Sequence, residues 1–199
     1  AEIALAGQLF APQYADPVKR ACVIDHAPLM HAPGGEQGSE LLKGEVFHVL
    51  DTSGGWSWGY CDHDHYVGYV DAKALGPVCA SHVPTAKADS VTTAEAFIDL
   101  PYVWGGRGGE GIDCSGLVQR SLSAAAISAP RDSDQQMTAL GREVSSVEPL
   151  QRGDIIFFTG HVGMMHDAEN LLHATRHHGK VVIEPLSDVE ARFKERNNG

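Results

Sequence analysis

The chain has 199 residues, 43% of them hydrophobic and 21% charged, with a formal net charge of -11. That balance fits a folded protein of one large or two small domains and excludes disorder as the default. It also argues against a nucleic-acid partner, because neutralising phosphates takes clustered Lys and Arg and none cluster here. The longest apolar runs, such as the IIFF centre of 154–159, fall far short of the roughly 20 residues that cross a bilayer, so no membrane span is expected.

Residues 1–18 read as an arm, rich in Ala, whose apolar Leu5, Leu9 and Phe10 predict docking on another surface. The opening AEIALAGQLFAP has neither the basic start nor the unbroken apolar stretch of a secretory leader, which favours the cytoplasm, with the periplasm as the alternative if a leader has been removed. Residues 19–80 alternate short apolar pieces with turn formers: ACVIDHAPLM, HAPGGEQGS, EVFHVLD, TSGG, WSWGYC, DHDH and YVGYVD. This pattern predicts a small antiparallel barrel. Gly-Gly before an aromatic strand and a terminal GYV strand resemble the bacterial SH3-like domains that accompany cell-wall hydrolases. The DHDH stretch puts His63 and His65 on one face if it continues a strand, a weak metal-site signal, since a polar turn between aromatic strands has the same composition.

Residues 81–91 are small and polar, with Pro84, and read as a connection to a second domain ending at 199. There Thr92-x-x-Glu95 is a candidate capping box for a helix running to about Leu100. The turn-rich PYVWGGRGGEGI then leads into DCSGLVQRSLSAAA, where Cys114, Leu117, Val118, Leu122 and Ala125 share one helical face and Asp113 stands at the N-cap position. The glycines lack the Lys and Ser/Thr of a phosphate loop. DIIFF, HVGMM, LLHAT and KVVIEPL predict an antiparallel meander. The fold class is therefore α+β, a cysteine-bearing helix on an antiparallel sheet.

Of the four cysteines, Cys22, Cys61 and Cys79 have no C-x-x-C spacing and read as small buried residues. Cys114 differs, because the first turn of a helix favours the thiolate that attacks a carbonyl, and its amides can hold an oxyanion. A histidine must then pair with the sulfur and be oriented by a third polar group. Among eleven histidines, His161 and His173 lie on adjacent predicted strands where their rings can meet, with His166, His177 and His178 near enough to compete.

The segments YVWGG, DCSGLVQ, PRDSDQQ, LQRGDIIFF, HVGMM and LLHA, in that order over about 94–182, resemble the NlpC-type cell-wall cysteine peptidases, which are papain-like. The resemblance implies Cys114 as nucleophile, His161 as base, His173 as its orienting group and Tyr102 beside the oxyanion. It further implies that Asp113, Ser115, Arg131, Asp132 and Ser133 shape the acyl side of the cleft, with Trp104 as an apolar face. Relatives with an SH3-like domain resemble enzymes that cut between gamma-linked D-glutamate and a diamino acid in released murein stem peptides such as L-Ala-gamma-D-Glu-diaminopimelate. They require a free N-terminal L-Ala because the extra domain closes one end of the groove; Glu36, Tyr60 and Tyr66 are candidates for that closure here. No cofactor and no metal are expected. An amidase or acyltransferase on the same fold, and a non-catalytic wall-binding module, are the competing functions.

Overall fold

The computed structural model describes residues 1–78, 87–145 and 148–197. They fall into two compact units, Ala1–Val83 and Pro84–Gly199. Cys79 and positions 81–86 of the expected connection lie outside the described residues, and the end of that connection already belongs to helix α1 (Ser90–Glu95).

The first unit is built on strands β1 (Val18–Cys22), β2 (His26–Met30), β3 (Gln37–Leu42), β4 (Val46–Ser53), β5 (Trp56–Cys61), β6 (Val67–Asp71) and β7 (Leu75–Gly76). They pair antiparallel in the order β3-β2-β6-β5-β4-β1-β7. The run ACVIDHAPLM is thus two strands rather than one, separated by a turn at 23–25. Cys22, Ala27, Leu29, Leu41, Phe47, Cys61 and Val70 come from six different strands and still share one cluster. A sheet meets that condition only by curling around its own inner face. Gly54 and Gly55, at φ 59° and 83°, make the two-residue turn between β4 and β5 that needs left-handed backbone twice.

In β5 the small residues Ser57, Gly59 and Cys61 point inward while Trp56, Trp58 and Tyr60 are only half buried. Gly59 is required, since a Cβ there would stand 1.9 Å from the His48 carbonyl oxygen. The DHDH stretch is a turn and not a strand, so its histidines do not share a face. His65 takes φ 60° and stacks on Tyr60, whereas His63 pairs with the buried carboxylate of Asp64 at 3.3 Å. The N-terminal arm folds back on itself, with the Ala1 amino group donating to the Gln13 carbonyl and the Ile3 amide to Ala15. Among the described residues Leu5, Leu9 and Phe10 remain exposed, Phe10 by 95%.

The second unit opens with α1, whose N-cap is Asp89, accepting from the Thr92 amide. The expected box of Thr92 and Glu95 does not form; Glu95 instead ion-pairs with Arg152 and His166, and the helix ends at Glu95 rather than near Leu100. Helices α2 (Cys114–Ala124) and α3 (Ser133–Ala139) follow, then strands β8 (Ile155–Phe158), β9 (His161–Met165), β10 (Asn170–Thr175) and β11 (Lys180–Pro185), and finally α4 (Leu186–Asn197). The strands form the antiparallel meander in the order β11-β10-β9-β8. Alternation along them divides the apolar residues. Val162, Met164, Leu172 and Ala174 pack with Leu117, Val118 and Leu122 of α2. Their neighbours Met165 and Leu171 pack with Val189 of α4.

Candidate active site

Helix α2 starts at Cys114 because Asp113, in extended conformation, caps it by accepting from the Gly116 amide at 2.7 Å. The cap is itself pinned. Arg131 donates to both carboxylate oxygens, at 2.6 and 3.0 Å, and to Ser115 Oγ at 2.9 Å, while the Gly105 amide donates to the second oxygen at 2.8 Å. Asp113, Ser115 and Arg131 are all buried. Their hydrogen bonds therefore close on the protein, tying the Gly105 loop, the helix start and the segment before α3 into one rigid corner. Gln136 of α3 adds a bond to the Ser115 carbonyl.

Cys114 sits in that corner with 6% of its surface exposed. The amides of Val162 and Ser115 favour its thiolate, but burial, followed by the Asp113 charge, pushes the thiol up to about 11. His161 opens β9 next to Val162, and burial followed by the His173 and Arg192 charges pushes its imidazole down to about 3. Each group alone is thus held neutral at pH 7. A proton passed from sulfur to ring creates both charges together, with no change in net charge.

His161 Nε2 lies 2.7 Å from His173 Nδ1. Gly163 makes this approach possible: a Cβ there would come within 2.8 Å of Leu171 and 3.0 Å of His173 Cβ. Phe193 of α4 stacks on the His161 ring, centroids 5.5 Å apart. Of the competing histidines, His166 is engaged with Glu95 and Asp167, and His178 reaches Glu184 at 3.3 Å. His177 lines the cleft.

That cleft, of about 310 Å³, is walled by Tyr102, Trp104, His161, His173, Arg176 and Arg192 among others. Burial and then the neighbouring Cys114 raise the Tyr102 hydroxyl to about 12, so it stays a donor. The Arg176 guanidinium lies 5.5 Å from the Tyr102 ring and 4.8 Å from that of Trp104, which is half exposed. Asp132 caps α3 without a side-chain cap bond, and Ser133 lines an adjoining hollow that shares Gly160 and Phe193 with the cleft.

Residues 99–194 match the NlpC/P60 family, and residues 29–75 match the bacterial dipeptidyl-peptidase SH3 domain. The chain carries an NlpC/P60 domain. A gamma-D-glutamyl-L-lysine dipeptidyl-peptidase of Bacillus cereus is 38% identical over 53% of this chain and 34% of its own. Its namesake from Bacillus subtilis is 32% identical over 82% of this chain and 56% of its own. Among solved structures, an NlpC/P60 family protein from Bacillus cereus aligns at 25% identity with a TM-score of 0.47, over 85% of this chain and 58% of its own. The chain thus spans between about a third and three fifths of these proteins.

Within the NlpC/P60 domain, three groups around the histidines escape a sequence reading. Glu184 of β11 faces His173 Nε2 at 2.8 Å, Arg192 of α4 closes on the same carboxylate, and Phe193 covers His161. One signal was available: Glu184 is a lone carboxylate inside the otherwise apolar run VVIEPL. A charge on a half-buried strand needs a partner, and the run does not say which.

Proposed function

We propose that this protein is a cysteine peptidase that hydrolyses the gamma-D-glutamyl bond to a diamino acid in murein stem peptides. The observation that carries the reading is the meeting of two features. Cys114 heads a helix with the amides of Ser115 and Val162 at its sulfur, and the adjacent His161 commits its Nε2 to His173, leaving Nδ1 for proton transfer. The names of the two Bacillus relatives supply the bond class.

In the proposed reaction Cys114 Sγ loses its proton to His161 Nδ1 and attacks the gamma carbonyl of D-glutamate. The protonated Tyr102 hydroxyl and backbone amides at the start of α2 stabilise the oxyanion. The imidazolium gives its proton to the departing amine, the C–N bond breaks, and a thioester remains. Water, deprotonated by the same ring, then releases the acid and the thiol. The Arg176 and Arg192 guanidiniums give the cleft a cationic wall, suited to a peptide that carries free carboxylates on both sides of the cut bond.

The substrate we infer is a released peptide with a free N-terminal L-Ala. Mass spectrometry after incubation with L-Ala-gamma-D-Glu-diaminopimelate, and separately with its N-acetylated form, tests this. Release of L-Ala-gamma-D-Glu from the free-amine peptide alone supports it. Cleavage of both forms would move the activity to intact wall, and cleavage of neither would favour acyl transfer to another acceptor.

A further inference from the structure

The imidazole pair does not end at His173. Glu184 Oε1 stands 2.8 Å from His173 Nε2, Glu184 Oε2 stands 3.3 Å from His178 Nε2, and Arg192 donates to Oε1 from α4. Burial pushes this carboxyl up, but the bonds from Arg192, His173 and His178 outweigh it and hold it at about 2. An ionised carboxylate only accepts. His173 Nε2 must then carry a proton. Burial also keeps His173 below its ordinary range, although Glu184 opposes this, so its Nδ1 is a lone pair that accepts from His161 Nε2–H. By the same logic the remaining nitrogen of His161, Nδ1, is the unprotonated one.

We propose that Glu184 is a positioning residue of the catalytic apparatus: it ends a chain Cys114–His161–His173–Glu184 and fixes both imidazole tautomers so that the basic nitrogen of His161 is the one offered to the thiol. Glu184 touches neither substrate nor reacting atoms. When His161 takes the sulfur proton, its positive charge is answered through neutral His173 by the Glu184 carboxylate, and no proton need leave either ring. Arg192 and His178 keep the carboxylate in place, and Phe193 keeps the His161 ring in plane. The charged and titratable groups that bear on His161 are His173 from β10, Arg192 from α4 and Glu184 from β11, and His178 from the turn before β11 bears on His173. The inference rests on the peptidase reading for its kinetic consequence, but not for its tautomers.

Nitrogen-15 NMR of the imidazoles in the unmodified protein tests the tautomers directly. His173 is expected protonated at Nε2 alone and His161 at Nε2 alone; the reverse assignment for either ring overturns the proposal. Alkylation of Cys114 by iodoacetamide tests the consequence. Between the His161 value of about 3 and the Cys114 value of about 11, a single proton is shared by the pair, so the rate should hold a plateau set by the ion-pair fraction. Glu184→Gln, whose amide can donate to His173 and reverse both tautomers, should lower that plateau by about 10-fold or more and kcat by the same factor, with KM changed less than about 2-fold. Glu184→Asp, which keeps an acceptor, should recover part of the loss. An unchanged plateau and kcat in folded Glu184→Gln overturn the proposal, and if that variant does not fold the NMR assignment decides. Absence of peptide cleavage by the unmodified protein would overturn the substrate assignment alone, since tautomers and alkylation are read without a substrate.

Discussion

Two carboxylates, Asp113 buried and Glu184 partly buried, flank the Cys114–His161 pair, and each is clamped by an arginine, yet they do different things. Asp113 meets Arg131 among backbone amides, with 5% and 1% of the two side chains exposed; every bond in that corner holds a position, the start of α2. Glu184 meets Arg192 with 12% and 28% exposed, and its second partner is an imidazole that can change tautomer. The first network sets where the sulfur is. The second sets which nitrogen of the base is free. The same pair of functional groups thus serves place on one side and protonation on the other, and the difference lies in whether a titratable ring joins the network.

The largest effect is expected at the pair between the two networks. Cys114→Ala should reduce turnover by roughly 10⁵ or more, to background, while the melting temperature stays within a few degrees, because one sulfur in a packed corner is removed and both networks survive. Measured turnover on the free-amine peptide that survives this change would end the peptidase reading. Next in size is a contrast in stability. Arg131→Met leaves the Asp113 carboxylate buried with a missing partner and should cost about 3–5 kcal/mol, seen as a melting shift of order 10 °C. Arg192→Met acts at a partly solvated pair and should cost under about 1 kcal/mol. Equal shifts would show that the two corners are not different in kind.

These two networks were unequally legible in the sequence. Asp113 and Ser115 adjoin the cysteine, and Arg131 opens a run whose spacing recurs in the resemblance, so the linear order of motifs already groups the three. What it did not convey was that they bond chiefly to one another: a linear motif names residues but not whether their polar atoms face substrate or each other. On the other side His161 and His173 followed from adjacent apolar strands, whose register is fixed once alternation buries Val162, Met164, Leu172 and Ala174. Glu184 and Arg192 did not follow, because their meeting depends on how α4 lies on the sheet, a tertiary choice with no local signature. The capping box at Thr92 failed for a related reason. Asp89, three residues earlier, caps as well as Thr92 would, and only the site of the first helical amide decides between them.

Tyr102 belongs to neither network, which makes it a cleaner probe of charge at the reacting carbonyl. Its hydroxyl, raised to about 12, remains protonated from acid to strongly alkaline solution. Tyr102→Phe should therefore lower kcat by roughly 10–100-fold, and by the same factor at every pH between about 6 and 9, because no ionisation of the phenol falls in that window. A loss that grows or shrinks across the window would mean that the hydroxyl acts on the Cys114–His161 equilibrium instead of on the oxyanion.

The smallest effect expected is at Arg176. Its guanidinium is exposed and sits against Tyr102 and Trp104, so Arg176→Ala removes little packing and should leave the melting temperature nearly unchanged. If the cationic wall binds a substrate carboxylate in the ground state and the transition state alike, KM should rise by about 3–10-fold with kcat held, which is the signature of uniform binding. The rise should shrink with added salt, since the group is solvent-facing. A fall in kcat of Tyr102→Phe size, with KM unchanged, would mean that Arg176 works by aiming the Tyr102 hydroxyl. The double variant separates the two: independent roles multiply their losses, whereas a shared role makes the second substitution nearly silent.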